Sequence, residues 1–558
     1  MRRVLLLGAA LTTLVAFPRT TDVFGLPKLL ALILCVSAVG VLMLPVAWPL
    51  VTSRASLLLP SGLFVAGLSL AGILSRQSEF ITLYGAMDRA NGWLCYTALT
   101  LVLVAGAMAF DAASVPLLLQ VLAGVGVVEA LYGLVQYSGR DPIAWFRPFV
   151  VMGTFGNPDF VSGFLGIAAV GLLGLVVSRS TSMRGRIAYG AALLLVLLTI
   201  RLSLAIQGLM GFTVGSVVLV GMLLLGLDRP HLVKRLRTPY AVLALGFLVL
   251  SALAMTDRGP LARILFKPSV QDRLYMWDAA LRMFRMEPLR GVGLDAYGDW
   301  YRLVRSPASV AFHGPTVFSN EAHSVLLNLL ATGGLLVTLP YLGLWIVVAR
   351  AAVRAAQDPV TRGPAAILTG AWAAYIADSL VSMDQIGFAV WGWLLAGAIL
   401  ALRPAARIRG VGSPWQRGTT RLLVVGVALG GLASVGYAVQ VDHAIGAATL
   451  LPTTTPAERA VAISAMTRAG LSCPEPIRVL GVVEELKRID APGAAIRVGL
   501  DAVRRFPRES LLWQELAVVY ESTHQWQRAV AVREHMAVLD PLNSESLHQL
   551  ALDRAAAG

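Results

Sequence analysis

Long apolar stretches alternate with polar loops along residues 1–440. A membrane-spanning helix needs about 20 mostly apolar residues, and the pattern predicts thirteen such helices. The predicted spans are residues 3–17, 28–51, 56–75, 92–110, 114–137, 159–178, 186–203, 205–227, 239–255, 324–349, 364–382, 384–402 and 421–439. We therefore expect an all-α, polytopic membrane protein of about 12–13 transmembrane helices.

The pattern changes after residue 440. Residues 441–457 include the Thr- and Pro-rich stretch LPTTTPA and read as a linker. Residues 458–558 show amphipathic helix pairs, and Pro507 and Pro541 are separated by about 34 residues, the period of tetratricopeptide repeats. An ordinary helical hairpin domain is the alternative. Either kind of tail is better suited to holding a partner than to chemistry.

Composition agrees with a membrane protein, because 57% of the residues are hydrophobic and only 14% are charged. The net charge is +14, but the tail from Val441 carries 12 Lys and Arg against 14 Asp and Glu. The basic excess thus belongs to the membrane part, and nucleic acid is a poor explanation for it. Cys473 is alone in the tail, which excludes an intrachain disulfide or a zinc site there.

The distribution of basic loops predicts the orientation, since short loops rich in Lys and Arg stay in the cytoplasm. These loops fall on one side of the thirteen-span arrangement. They contain Arg2 and Arg3, Arg54, Arg179, Arg184 and Arg186, Lys234, Arg235 and Arg237, Arg350, Arg354 and Arg362, and the segment from Arg403 to Arg421. We expect a cytoplasmic N-terminus, with the polar loop 256–322 and the tail outside.

The outer loops nevertheless contain many arginines. They are Arg76, Arg89, Arg140, Arg147, Arg201, Arg258, Arg263, Arg273, Arg282, Arg285, Arg290, Arg302 and Arg305. Guanidinium groups match phosphate oxygens in a bidentate fork, so the set predicts an anionic ligand. Attraction to anionic lipid headgroups is the alternative for any single arginine.

The segment from Gln271 to Tyr301 has the strongest local pattern. Arg273, Trp277 and Ala280 share one helical face, and Pro288 ends the helix before a Gly-containing turn. Arg282 lies about half a turn away, where it would meet headgroups or solvent. Arg273 is therefore the better candidate for a ligand contact.

His323 lies where the long outer loop returns to an apolar run. Ser319 or Asn320 is expected to cap the helix, which would place His323 in its first turn. The positive end of a helix dipole and the neighbouring arginines would keep the imidazole neutral. A neutral imidazole can act as a general base, although a histidine at a helix start is often structural.

Two further stretches carry weaker signals. Asn157 is predicted to cap a helix with Pro158 at its first position, which leaves N–H groups that could face an anion. Arg89 lies in an outer loop just before another span. The acids Asp295, Asp299 and Glu321 form no metal-ligand pattern, so we expect no metal and no cofactor.

These stretches, in this order, resemble the O-antigen ligase family, whose relatives include O-antigen polymerases and protein O-oligosaccharyltransferases. The similar segments are YGAMDRANGWL, YGLVQYSGRDP, MGTFGNPDFVSGF, RLYMWDAALRMFRMEPLRGVG, EAHSVLLNLLATGG and DSLVSMDQIGFAVWGWLLAG. They cover most of residues 80–400. The tetratricopeptide-like tail resembles an appendage of some such proteins.

The resemblance implies a GT-C-like glycosyltransferase that transfers a glycan from undecaprenyl diphosphate to an acceptor hydroxyl outside the cytoplasmic membrane, without a metal. By position, His323 would be the base, and Arg273 and Arg89 would bind the diphosphate. Many relatives have a functional arginine where this chain has RLSLAIQGLMG. Arg201 and Gln207 are the two candidates for that role. Trp277, Asn157 and Glu321 are possible supporting residues.

Three alternatives stay open at this point. A polymerase of the same family would use a second lipid-linked glycan as acceptor. A protein O-oligosaccharyltransferase would use the tail to present its substrate. A transporter of lipid-linked glycan would need charges along a midplane pathway, yet Glu129, Asp378 and Asp384 are expected near span ends.

Overall fold

A computed structural model describes all residues except Arg19, 44–54, Arg76, 146–149, 226–229, Thr256, 266–267 and 403–413. Every regular element in the described part is helical. The described helices that correspond to the predicted spans are α1 (Arg2–Leu14), α2 (Gly25–Met43), α3 (Ala55–Leu74), α5 (Trp93–Ala109), α6 (Val115–Tyr137), α7 (Pro158–Val177), α8 (Met183–Leu202), α9 (Gln207–Leu225), α10 (Pro230–Met255), α15 (Val325–Ala356), α16 (Arg362–Ser379), α17 (Ile386–Ala401) and α18 (Pro414–Thr449).

Shorter helices occupy the loops and the tail. The loop helices are α4 (Glu79–Tyr84), α11 (Ala262–Leu265), α12 (Pro268–Met286), α13 (Tyr297–Val304) and α14 (Pro307–His313). The tail contains α19 (Pro456–Ser472), α20 (Pro476–Arg488), α21 (Pro492–Arg505), α22 (Ser510–Ser522), α23 (Trp526–Leu539) and α24 (Ser544–Ala557).

Each predicted span corresponds to one of these helices, which confirms the polytopic all-α class. Among the described residues, eight helices are long and apolar enough to cross a membrane. Trp93–Ala109 and Ile386–Ala401 are shorter apolar helices. That Arg2–Leu14, Pro230–Met255 and Arg362–Ser379 also cross stays a prediction.

Small residues let the membrane helices pack closely, as is usual where apolar burial cannot drive association. Helices α9 and α16 run antiparallel, and a Cβ on Gly215 would lie 2.6 Å from the carbonyl oxygen of Gly370. One turn further along the same pair, Gly211 faces Ala374. Gln207 is the first residue of α9, and Asp378 lies near the end of α16.

Helix α15 is broken where it meets the outer loop. Gly334 adopts φ 59°, a left-handed conformation that glycine tolerates best. The chain after α12 fits into this break, because Val292 N–H donates to Ala331 O at 2.9 Å and Leu335 N–H donates to Pro288 O at 3.0 Å. These bonds fix the helix that carries Arg273 to the span that follows His323.

The predicted linker starts within a helix. Helix α18 continues without interruption to Thr449, so only residues 450–455 separate it from α19. Pro507 and Pro541 directly follow the ends of α21 and α23, as predicted. The tail is a succession of short helices; its assignment to tetratricopeptide repeats and the division at residue 440 stay predictions.

The tail lies at the same end of the helix bundle as the loop before α15. Arg478 pairs with Asp442 at 3.2 Å, and its Nε donates to Thr21 Oγ1 at 3.1 Å. Ser78 Oγ donates to Pro474 O at 3.4 Å. The tail is therefore packed onto the membrane body at this end.

Candidate functional site

His323 lies just before α15 and not within its first turn. Ser324 is the N-cap, with its hydroxyl accepting from Leu327 N–H, and the helix begins at Val325. The expectation that Ser319 or Asn320 caps this helix is therefore wrong. His323 instead adopts φ 48°, a left-handed conformation that is uncommon for a non-glycine residue. Such backbone geometry persists only where the surroundings enforce it.

Two guanidinium groups lie near the imidazole. Burial and, to a smaller extent, the charges of Arg89 and Arg273 together lower the pKa of His323 to about 3. The imidazole is therefore neutral, as predicted, but the helix dipole is not the main reason. Removal from water lowers its pKa most, and the positive charges of the two arginines lower it as well. The structure brings Arg89, Arg273 and His323 together from three separate segments of the chain.

Arg273 is buried on α12 and points toward the start of α7. Its Nη2 lies 3.3 Å from Asp159 Oδ2, and the Asp159 side chain is 40% exposed. Asn157 caps α7 by accepting from Asp159 N–H at 2.8 Å, and Pro158 is its first residue, as predicted. The cap orients Asp159, a residue that the sequence pattern did not single out.

Arg89 is held by the loop that precedes His323. Its Nη1 lies 3.0 Å from Glu321 Oε1, and its Nη2 donates to Asn320 Oδ1. Burial raises the pKa of Glu321 to about 7, although the Arg89 charge opposes this rise. Burial likewise raises the pKa of Asp384 to about 7. Glu321 therefore lies at the balance between its neutral and its ionised form near neutral pH.

Arg201 and Gln207, the two candidates for the role of the arginine that many relatives have in this segment, differ in their surroundings. Arg201 is exposed at the end of α8. Gln207 is fully buried, and both polar atoms of its amide lack a hydrogen-bond partner within the described residues. Asp378 Oδ1 also lacks one, and it lies 2.8 Å from where a Cβ on Gly163 would be. Gln207 is thus better placed than Arg201 to meet a ligand group.

Trp277 follows Arg273 by one turn on α12. Its indole Nε1 is buried and has no hydrogen-bond partner in the described part of the chain. Indole N–H groups usually find a partner when they are buried. Trp277 therefore has one donor that a bound ligand could use.

Many of the predicted outward arginines are offset by acids of the chain itself. Arg282 pairs with Asp278 at 2.9 Å and Arg290 pairs with Glu287 at 3.1 Å. Arg302 and Arg305 are buried against Asp540 of the tail. The inference that the whole set needs an external anion is therefore wrong for these four. Arg76 and Arg147, like Arg54 and Arg403 of the opposite loops, lie outside the described residues.

Glu129 is not near a span end, contrary to the sequence-based expectation. It is buried within α6 and accepts from Thr154 N–H at 3.1 Å. Lys28 of α2 is also buried, and its ammonium donates to Thr13 O. Thr154 Oγ1 donates to the same carbonyl oxygen at 2.9 Å. This polar centre holds the turn before Asn157 and contributes no group to the surroundings of His323.

Comparison with known families agrees with this arrangement. Residues 161–342 match the family model described as O-antigen ligase. This part of the chain belongs to the O-antigen ligase family. Arg273, Glu321 and His323 lie within the match, whereas Arg89 and Asn157 precede it. The comparison with curated proteins gives no match.

The match and the apolar helices together fit a multi-pass membrane protein, and the matched family implies glycosyl transfer of the ligase or polymerase type. No group of three or more His, Cys, Asp or Glu side chains in the described part of the chain could hold a metal ion. The groups available around His323 are therefore the imidazole, the two guanidiniums and their carboxyl partners Asp159 and Glu321.

Proposed function

We propose that the protein transfers a glycan from undecaprenyl diphosphate to an acceptor hydroxyl on the outer face of the cytoplasmic membrane. The observation that carries the proposal is the placement of Arg89 and Arg273 beside the neutral His323. Guanidiniums suit a diphosphate leaving group, and a neutral imidazole suits removal of a hydroxyl proton. Both tasks meet at one end of the helix bundle.

Arg273 and Arg89 bind the donor diphosphate in this proposal. Asp159, the partner of Arg273, is partly exposed and only 3.3 Å away, so a phosphate group can replace or share this pairing. Glu321, the partner of Arg89, takes up a proton readily because its pKa is raised to about 7. Each guanidinium can thus exchange a carboxylate for a phosphate without leaving a buried charge unpaired.

Binding of the donor also prepares His323. The two guanidiniums help to keep the pKa of the ring low, and the negative charges of the diphosphate oppose this effect. The ring becomes a stronger base once the donor has bound. Proton removal from the acceptor is therefore favoured only when the leaving group is in place.

The transfer itself forms one bond and breaks another. The acceptor oxygen attacks the anomeric carbon while His323 takes the hydroxyl proton. The bond between the anomeric carbon and the phosphate oxygen breaks, and its electron pair leaves with undecaprenyl diphosphate. Arg89 and Arg273 stabilise the charge that develops on this leaving group. His323 later returns its proton to water.

Reconstitution tests this reaction directly. The purified full-length protein is placed in lipid vesicles with a glycan on undecaprenyl diphosphate and an acceptor with a free hydroxyl, and the products are analysed by mass spectrometry. Formation of the glycosylated acceptor together with free undecaprenyl diphosphate supports the proposal. An intact donor with every acceptor offered contradicts it.

The acceptor distinguishes the reactions within the family. Longer glycan on the lipid carrier indicates a polymerase, and a modified Ser, Thr or Tyr indicates a protein O-oligosaccharyltransferase. Deletion in cells, followed by mass analysis of lipid-linked glycan and of surface material, identifies which acceptor loses its glycan. Movement of intact donor between leaflets, without transfer, would instead indicate a transporter.

A further inference from the structure

A buried ion cluster joins the tail to the outer loop. Asp540, directly after α23, is 1% exposed and lies 2.6 Å from Arg305 Nη2, whose side chain is also 1% exposed. The other carboxylate oxygen lies 3.7 Å from Arg302 Nη1 and accepts from Asn543 Nδ2 at 3.1 Å. One carboxylate of the tail thus offsets two guanidiniums that are otherwise buried in the outer loop.

The same two arginines hold the backbone that leads to His323. Arg305 donates to Val317 O at 2.8 Å and to Pro315 O at 2.6 Å, and Arg302 donates to Thr316 O at 3.2 Å. Three successive carbonyl groups are therefore bound by guanidiniums whose charge Asp540 balances. The chain continues directly from here to Asn320, Glu321 and His323.

Helix α13, which carries Arg302, packs against this segment as well. The Arg302 guanidinium lies 5.6 Å from the centre of the Phe318 ring. A Cβ on Gly298 would lie 3.3 Å from Asn320 Cα. On the opposite side of α13, Arg508 of the tail lies 3.7 Å from the centre of the Trp300 ring. Helix α13 is therefore enclosed between the tail and the loop.

We propose that the tail is a positioning element of the transfer reaction, in which Asp540 keeps Arg302 and Arg305 bound to residues 315–317 and so fixes His323. The proposal rests on the proposed function for its catalytic part. Removing Asp540's charge takes away the carboxylate that both buried guanidiniums share and leaves Arg302 only its weaker interaction with Glu509, which favours release of the guanidiniums into water. Their movement frees the three carbonyls and loosens the loop. Asp540 touches no reacting group and acts only through this chain of contacts.

The test compares Asp540→Asn with the wild type as full-length protein in lipid nanodiscs. Hydrogen–deuterium exchange of residues 311–321 reports the loop without any substrate, and transfer kinetics report kcat and KM for the donor. We expect faster exchange in this segment and a kcat lowered about tenfold to a hundredfold, as misplacement of a catalytic group produces. The donor KM should stay nearly unchanged, and Asp540→Glu should recover part of kcat.

Two matched controls separate positioning from general stability. Asp553→Asn removes an equally buried carboxylate of the tail, 2.9 Å from Arg533, that does not contact the loop. Glu534→Gln removes one from an exposed pair with Arg554. Neither control should speed exchange of residues 311–321 or lower kcat. Equal loss of kcat in Asp553→Asn would show that the tail acts through its overall stability and would overturn the proposal.

Other outcomes are equally decisive. If residues 311–321 exchange in Asp540→Asn as slowly as in the wild type, the ion cluster does not hold the loop. If they exchange faster but kcat is unchanged, the transfer reaction does not need the loop to be held. No transfer by the wild-type protein would overturn the proposed function. The exchange result would still decide whether Asp540 fixes the loop.

Discussion

Two pairs of arginines lie at the end of the helix bundle that carries the loop before α15, and they are used differently. Arg302 and Arg305 donate to backbone carbonyls and share the carboxylate of Asp540. Arg89 and Arg273 face the side chains of other residues near a neutral histidine. The first pair is bound to the chain itself, whereas the second pair has partners that a ligand can displace.

Buried polar atoms without a partner do not separate the two pairs. Among the described residues, Nε of Arg302, Arg305 and Arg89 lacks a hydrogen-bond partner, as do polar atoms of Gln207 and Asp378. The difference between the pairs lies in the groups that they contact, which are backbone carbonyls for the first pair and side chains for the second.

Among the residues around Arg89 and Arg273, substitution of His323 by Ala should lower transfer most. Loss of a general base typically lowers the rate by about 10²- to 10⁴-fold, so kcat should fall within that range while donor binding persists. His313→Ala is the matched control, because His313 lies in the same loop but pairs with Asp272 at 2.9 Å. Steady-state transfer kinetics and donor binding measure the two effects. Wild-type transfer by His323→Ala would refute the base.

Arg273→Gln should weaken binding of the donor. A charge-assisted hydrogen bond contributes about 1.5–3 kcal/mol, which corresponds to roughly a tenfold to hundredfold weaker affinity. Arg282→Gln is the control on the same helix, since Arg282 is half exposed and pairs with Asp278. Binding of undecaprenyl diphosphate to the protein in nanodiscs measures the difference. Equal losses in both variants would indicate general attraction of the anion by the outer surface.

The membrane fold follows from the sequence pattern to a large extent. Every predicted span corresponds to a helix, because long apolar runs have only one stable form in a membrane. The break at Gly334 does not follow from hydropathy, since both halves of α15 are apolar. The sequence shows two glycines there, but only the docked loop 288–293 explains why the helix is interrupted.

The sequence predicts the cations of the candidate site and only one of its acids. Arg273 and His323 stand out from apolar surroundings in the sequence, and family resemblance adds Arg89 and Glu321. Asp159 looks like an ordinary residue at a helix start, and its partner Arg273 is far away in the chain. Asp540 was not recognisable either, because nothing in the sequence indicates that the tail folds onto Arg305.

Donor affinity should depend on pH through Glu321. Its pKa is raised to about 7, so it gains a proton as the pH falls through this value and then no longer competes for Arg89. The two phosphates of the donor stay ionised in this range. Affinity should therefore rise as the pH falls toward 7, by at most about tenfold per pH unit for one linked proton. Glu321→Gln should flatten this dependence, and Glu534→Gln should not. An affinity that falls on acidification would show that ionised Glu321 assists binding.

The smallest effect is expected at the tail interface, where Glu509 is buried. Burial is the main reason that its pKa rises to about 8, with Asp299 and Glu475 raising it and Arg302 lowering it. A carboxyl with a raised folded-state pKa contributes a stability that is fully present below its ordinary pKa of 4.5 and is lost as the pH rises from there through 8. Glu509→Gln cannot ionise, so its Tm should exceed that of the wild type at pH 8.5, by on the order of a few degrees. At about pH 4, below the ordinary pKa, the two should melt together, as followed by tryptophan fluorescence in detergent. A lower Tm for the variant at pH 8.5 would mean that Arg302 binds the ionised Glu509 strongly enough to offset the cost of its burial. The ionised carboxyl would then stabilise the tail interface.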